Sequence, residues 1–209
     1  MSTGSFWTLD KLYKDDCHER LRDAGHKARL GNGYTAMRHD EDAEMTETKR
    51  NESGSEIAGK HMIRLKSVTK ENLDDILALR VRGEQEGYVS SNAESLAQAY
   101  VYSGTAWPFG VYEDETLVGF IMMGYYEAKH YYTLWKFMID RRFQNKGYGR
   151  QALRLGLAFL KEKFGPEEVY TGVAPGNSVA KKLYESVGFV DTGFREFGME
   201  EMCLKLKDL

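Results

Sequence analysis

Arg141-Arg142-Phe143-Gln144-Asn145-Lys146-Gly147-Tyr148-Gly149-Arg150 joins an apolar run, Tyr131 to Ile139, to a segment in which Ala152, Leu153, Leu157, Leu160 and Phe164 recur at helical spacing. The run reads as a strand and the segment as an amphipathic helix that Gly165-Pro166 stops. A strand that turns into a helix through two glycines leaves the first backbone N–H groups of that helix without intrahelical partners. Those donors, with the positive end of the helix dipole, favour a phosphate, and Gly147 and Gly149 lack the Cβ that would hold it off. Arg142, Lys146 and Arg150 either add charge at the mouth of this cradle or are ordinary solvated cations, and the residues alone leave both readings open. A short Gly-x-Gly with basic neighbours is also a common plain turn, so its meaning rests on the elements around it.

Toward the N-terminus, Pro108 opens Phe109-Gly110-Val111-Tyr112, and Glu113-Asp114-Glu115 makes a hairpin turn into the strand from Thr116 to Tyr125. With Tyr131 to Ile139 these predict an antiparallel meander. Further upstream, Met62 to Val68 alternates as a half-buried strand. Thr69 is expected to cap a helix carrying Leu73, Ile76, Leu77, Leu79 and Val81; Gly83 to Ser91 breaks it, and Asn92 is expected to cap a second helix with Leu96, Ala97, Ala99 and Tyr100. Downstream, Val169 to Val173 reads as a strand and Pro175-Gly176 as a turn. Asn177 caps a helix with Val179, Ala180, Leu183 and Tyr184 that Gly188 ends, and Phe189 to Phe194 and Met199 to Leu206 form a last strand pair. The order β-α-α-β-β-β-α-β-α-β-β describes one α/β sheet with helices on both faces.

The chain has 209 residues and a net charge of -3, from 29 Lys and Arg against 32 Asp and Glu, so it lacks the broad basic field of a nucleic-acid binder. Cys17 and Cys203 are far apart and without metal-ligand spacing, which suggests neither a disulfide framework nor a metal site and suits a reducing cytoplasm. No apolar run reaches the ~18 residues of a membrane span. Residues 6–30 carry a helical pattern, residues 35–60 are polar enough to read as a linker, and His18, His26 and His39 read as solvated. His61-Met62 is what a cloning junction leaves, so residues 1–61 are either an attached segment or a natural extension, with residues 62–209 as the domain proper.

Gln144-Asn145-Lys146-Gly147-Tyr148-Gly149 matches the Gln/Arg-x-x-Gly-x-Gly/Ala signature of the GCN5-related N-acetyltransferases, and Asn177, Ala180, Leu183-Tyr184 and Gly188-Phe189 resemble that superfamily's second motif. From Met62 onward the chain is similar to that family in element order as well. The resemblance implies the GNAT fold, with a mixed, mostly antiparallel central sheet, preceded here by an N-terminal extension. Within the superfamily, Gln85 to Val89, Ser95 to Ala99 and Pro108 to Tyr112 resemble bacterial spermine/spermidine acetyltransferases.

What the resemblance implies is direct transfer of an acetyl group from acetyl-CoA to a primary amine, with no metal and no covalent enzyme intermediate. Gln144, Asn145, Lys146, Gly147, Tyr148, Gly149 and Arg150 would hold the pyrophosphate with Arg142 beside it. The strand residues Phe137, Met138 and Ile139 would serve the thioester and pantetheine, and Asn177 would reach the cofactor. Tyr184 would protonate the departing thiolate. The family's strand glutamate is Thr133 here, so Glu84 or Glu86 is the expected base, with Glu127 and Asp140 as weaker candidates. A groove of Glu84, Glu86, Glu94, Tyr88, Trp107 and Trp135 would suit a polyamine, because carboxylates and rings spread along it hold distant ammonium groups. Protein or aminoglycoside amines are alternative acceptors, a non-catalytic acyl-CoA-binding module is a different class, and a homodimer is left open.

Overall fold

The computed structural model describes residues 44–46, 62–196 and 198–208; the helix expected over residues 6–30, Cys17 and the three N-terminal histidines lie outside them. The strands are β1 (Glu44–Thr46), β2 (Ile63–Ser67), β3 (Ala106–Glu113), β4 (Thr116–Tyr126), β5 (Tyr131–Ile139), β6 (Glu168–Val173), β7 (Val190–Glu196) and β8 (Met199–Lys205). The helices are α1 (Leu73–Ala78), α2 (Asn92–Val101), α3 (Tyr148–Phe164) and α4 (Ser178–Glu185), with a 3-10 turn at Gly83–Gln85. They form a sheet of order β1-β2-β3-β4-β5-β6-β8-β7. Every neighbouring pair is antiparallel except β5 and β6.

β4 shows why the sheet needs cover on both faces. Phe120 and Met122 enter one apolar cluster with Ile76, Leu79 and Ala99, whereas Ile121 and Met123 enter a second with Leu153, Leu157 and Leu160. Period-2 alternation therefore sends successive apolar side chains into two cores, each buried chain contributing about 1.5–3 kcal/mol. α3 lies very close to β4 at Gly156, where a Cβ would meet Met123 Sδ at 2.8 Å and Ile121 Cδ1 at 2.9 Å. At its far end Gly165 takes a left-handed φ of 62° and closes the helix where Gly165-Pro166 predicts.

Two helix starts differ from expectation because side chains were free to bond elsewhere. Asn72 Oδ1 accepts from the Thr69 N–H at 2.8 Å and Asn72 Nδ2 donates to the Ser67 backbone carbonyl at 3.0 Å, so Thr69 to Asn72 is a turn and α1 starts at Leu73. α2 is capped by Ser91, whose hydroxyl accepts from the Glu94 N–H at 3.2 Å while the Glu94 carboxylate accepts from the Ser91 N–H at 3.0 Å. Asn92 instead donates to the Ile76 carbonyl at 2.8 Å, fastening α2 to α1. Asn177 caps α4 as expected, accepting from the Ala180 N–H at 3.1 Å.

The sheet has one strand more than the sequence order implies. Glu44–Thr46 pairs antiparallel with β2 in the register Met45↔Leu65, within the stretch read as linker, where its charge hid it. At the opposite edge the β7–β8 ladder is interrupted between Asp191 and Arg195, with Gly193 at φ 78°. The Asp191 carboxylate there accepts from the Gly193 N–H at 2.8 Å and pairs with Arg195 at 2.9 Å and Lys181 at 3.0 Å.

Ser91→Ala should lower the unfolding free energy by about 1 kcal/mol through loss of the cap, read as a shifted denaturation midpoint.

Candidate functional site

β5 is paired with β4 along its length, from Tyr126↔Tyr131 to Gly119↔Ile139, but with β6 only at Tyr132↔Val169 and Thr133↔Tyr170. β6 meanwhile follows β8 through Glu168↔Lys205 to Val173↔Glu200. The two parallel strands thus part beyond Thr133, and a cleft of about 1030 Å³ opens between them. Its walls include residues 134–139, residues 171–174, the first turns of α3, one side of α4 and the loop at residues 85–90. The Thr171 hydroxyl donates to the Leu134 carbonyl at 3.1 Å just where the strands separate.

Phe137, Met138 and Ile139 line this cleft, as do Gln144, Asn145, Gly147, Tyr148, Gly149, Arg150 and Asn177. Asn145 and Gly147 both have left-handed backbones, φ 67° and 81°, and α3 begins at Tyr148 with no side-chain cap. Donors of a seventeen-residue helix's first turn are therefore left to a ligand or to water. The Gln144 amide donates to the Ile139 carbonyl at 3.0 Å and to Gln85 Oε1 at 2.8 Å, tying the cradle to the 85–90 loop. The Tyr148 hydroxyl donates to the Glu113 carboxylate; that bond, with burial, pushes its pKa up to about 12 and pins the start of α3 to the sheet.

The expected cations separate. Arg142 and Lys146 are not in the lining: Arg142 Nε donates to Asp140 Oδ1 at 2.8 Å, and Lys146 lies over the rings of Phe143 and Tyr148 at 5.5 and 5.8 Å. Arg150 lines the cleft and donates to the Ser186 hydroxyl at 3.1 Å, and Arg154, one turn on, lines it too. Asp140, a weaker candidate for the base, is outside the lining and is held as an anchor. Burial raises its pKa, but bonds from the Arg142 side chain, the Arg142 N–H and the Arg80 N–H outweigh that and hold it below the usual carboxylate value.

At the other end, Tyr184 lines the cleft and is 7% exposed. Burial pushes its pKa up to about 12, against an opposing hydrogen bond with Thr171, so it keeps its proton through the neutral range. Glu86, Tyr88, Thr133 and Trp135 also line it, whereas Glu84 is exposed outside it. Two expected groove residues are elsewhere: Glu94 completes the α2 cap, and Trp107 packs in the core 4.5 Å from the Phe164 ring. Cys203 is buried in β8, its thiol pushed up by burial.

Sequence reasoning missed Glu196, Glu201, Tyr126, Tyr131 and Lys136, all in the lining. Lys136 donates to the Ser90 hydroxyl at 3.1 Å, and burial drives its pKa down to about 8 while Glu94 pulls it back up. The register runs Met122↔Lys136 and then Met123↔Leu134, so Trp135 is an extra residue in a bulge. Lys136 thereby reaches the loop before α2 while Trp135 packs against Tyr102, at 5.6 Å, just after that helix. Among the described residues no group of three or more His, Cys, Asp or Glu is placed to hold a metal, and no helix is long and apolar enough to cross a membrane.

Residues 73–189 match the Acetyltransferase (GNAT) family. The chain is 32% identical over 152 residues to the spermine/spermidine N(1)-acetyltransferase of Bacillus subtilis, covering 68% of this chain and 97% of that one. Its fold is similar to the crystal structure of spermidine N-acetyltransferase from Vibrio cholerae in complex with CoA and spermine, with a TM-score of 0.55 and 21% identity over 69% of this chain and 96% of that one. It is likewise similar to the PaiA N-acetyltransferase of Thermoplasma acidophilum in complex with coenzyme A, with a TM-score of 0.55 and 21% identity over 68% and 98% of the two chains.

Gly147→Ala forces a side chain into a left-handed backbone and should cost about 1–2 kcal/mol of stability in chemical denaturation. Gly149→Ala should be nearly neutral in the same measurement, because its Cβ would meet nothing closer than Leu183 Cδ2 at 3.4 Å. Lys136 binds fewer protons in the folded chain than in the unfolded one between its lowered pKa near 8 and its ordinary value of 10.5. Stability should therefore gain a component that grows as pH rises through that window, and Lys136→Met should flatten it in melts recorded from pH 7 to 10.5.

Proposed function

The chain belongs to the GNAT acetyltransferase family and is an acetyl-CoA-dependent N-acetyltransferase, and on that premise we propose that its acceptor is a polyamine such as spermidine or spermine. The observation that carries this reading is the wall of the cleft, where the carboxylates of Glu86, Glu196 and Glu201 are spread among the rings of Tyr88, Tyr131 and Trp135. An ammonium held far from the reacting nitrogen increases affinity without keeping that nitrogen charged, so dispersed carboxylates suit a polycation better than one acidic pocket would. Rings add cation–π attraction of roughly 0.5–2 kcal/mol each.

The rest of the cleft fits acetyl-CoA. In this reading the uncapped N-terminus of α3, with the loop from Asn145 to Arg150, receives the pyrophosphate, and Arg150 and Arg154 supply positive charge. The edge of β5 that lacks a strand neighbour, at Phe137, Met138 and Ile139, offers backbone groups to the pantetheine and to the oxygen that becomes negative during attack. A free aliphatic amine has a pKa near 10, so stripping its proton at pH 7 costs roughly 4 kcal/mol. Glu86, the one of the two expected bases that lines the cleft, takes that proton directly or through water. Tyr184 gives its hydroxyl proton to the departing thiolate. In this reading the amine attacks the thioester directly, and Cys203, buried in β8, takes no part.

Tyr184→Phe should lower kcat about 100-fold while the KM for acetyl-CoA stays within about twofold; an unchanged kcat removes the acid role. Thiol release from acetyl-CoA with spermidine, spermine, butylamine and a peptide tests the acceptor. Saturable turnover is expected with the polyamines, turnover with the peptide alone would overturn the reading, and CoA binding without any turnover would favour a binding module.

A further inference from the structure

Beside the cleft the chain supplies a substrate-like cation of its own. Lys129 sits between β4 and β5 and reaches across to the β7–β8 hairpin, where its ammonium donates to the Glu196 carboxylate and lies 3.8 Å from Glu201 Oε2. The same nitrogen stands 4.9 Å from the ring centroid of Phe194 and 5.8 Å from that of Tyr131. Two carboxylates and two rings around one ammonium are the chemistry that recognises an alkylammonium. Glu196, Glu201 and Tyr131 belong to the cleft lining and Lys129 does not, so the carboxylates face the acceptor space on one side and the lysine on the other. The side chains of Lys129, Glu196 and Glu201 remain 24%, 25% and 18% exposed, so the pair is open to exchange.

We propose that Lys129 is a tethered competitor for the distal ammonium of the acceptor at Glu196 and Glu201, and that this exchange limits how strongly polycations are preferred over monoamines. The proposal rests on the polyamine reading above and adds to it the residue that tunes it. An ammonium on a short tether competes at an effective concentration on the order of millimolar. Exchanging one ammonium for another leaves the charge balance of the carboxylate pair intact, so neither state strands a buried carboxylate. A monoamine has no second ammonium to offer and cannot make the exchange.

The test uses the full chain with saturating acetyl-CoA and compares kcat/KM for spermidine with kcat/KM for butylamine. Lys129→Met should raise the spermidine-to-butylamine ratio about tenfold, chiefly through a lower spermidine KM. Lys129→Arg, which keeps a cation on the tether, should leave the ratio within about twofold of the unsubstituted enzyme. Glu196→Gln and Glu201→Gln should each lower the ratio by weakening the distal site itself. Lys129→Gln, which removes the cation but keeps a polar side chain, should raise the ratio as Lys129→Met does and decides the matter if the methionine variant folds poorly. A ratio unmoved or lowered by Lys129→Met, in a protein with an unchanged melting temperature, overturns the proposal while the polyamine reading stands. Turnover of other amines with no turnover of spermidine by either protein overturns both.

Discussion

The site depends on a failure of pairing. β5 and β6 form the only parallel pair among the described residues, and that ladder holds for two residue pairs before β6 follows β8 away and β5 follows β4. A parallel pair needs a crossover, and here the crossover is α3, which packs on the face of β4 through Leu153, Leu157 and Gly156. The geometry that forces a helix between β5 and β6 also sets the start of that helix at the open end of the wedge. An unsatisfied strand edge and an unsatisfied helix terminus thus border one space, and unpaired backbone groups of both kinds face it.

Asp140 holds the two ends of the wedge in relation. It receives the Arg80 N–H from the segment after α1 and the Arg142 N–H and guanidinium from the cradle, and the Arg141 N–H donates to the Arg80 carbonyl at 2.8 Å. Gln144 adds a second tie, to Gln85. A buried carboxylate with three donors is strongly bound to its place. The loop at residues 85–90, which lines the cleft, is therefore positioned by the same short stretch that forms the cradle.

Much of this could be read from the sequence because its signals are local. The strand-to-helix turn at Gly147 and Gly149, the helix stop at Gly165-Pro166 and a sheet covered by helices on both faces all follow from local residue patterns. Helix starts were less legible. Thr69, Asn72, Ser91 and Asn92 can all cap, and the winner was decided by partners such as the Ile76 carbonyl, sixteen residues from Asn92. The cleft wall around the 85–90 loop was legible only at Glu86, Tyr88 and Trp135, which line it. Lys136 reaches Ser90 across a bulge that period-2 reading does not foresee, and Glu196 and Glu201 enter the wall only when β8 inserts between β6 and β7. Trp107 was misplaced although the clue was present: two residues from Phe109 on one strand, it shares that residue's core face.

The interrupted ladder at the outer edge has a consequence for the protein's behaviour in company. β7 ends the sheet and would otherwise present a row of free amide groups to any other chain. The break between Asp191 and Arg195, the left-handed Gly193 inside it, and the ring of opposite charges from Asp191, Arg195, Lys181 and Glu200 deny an approaching strand a flat, neutral partner. What looks like an irregular hairpin beside the cleft is also protection against edge-to-edge aggregation.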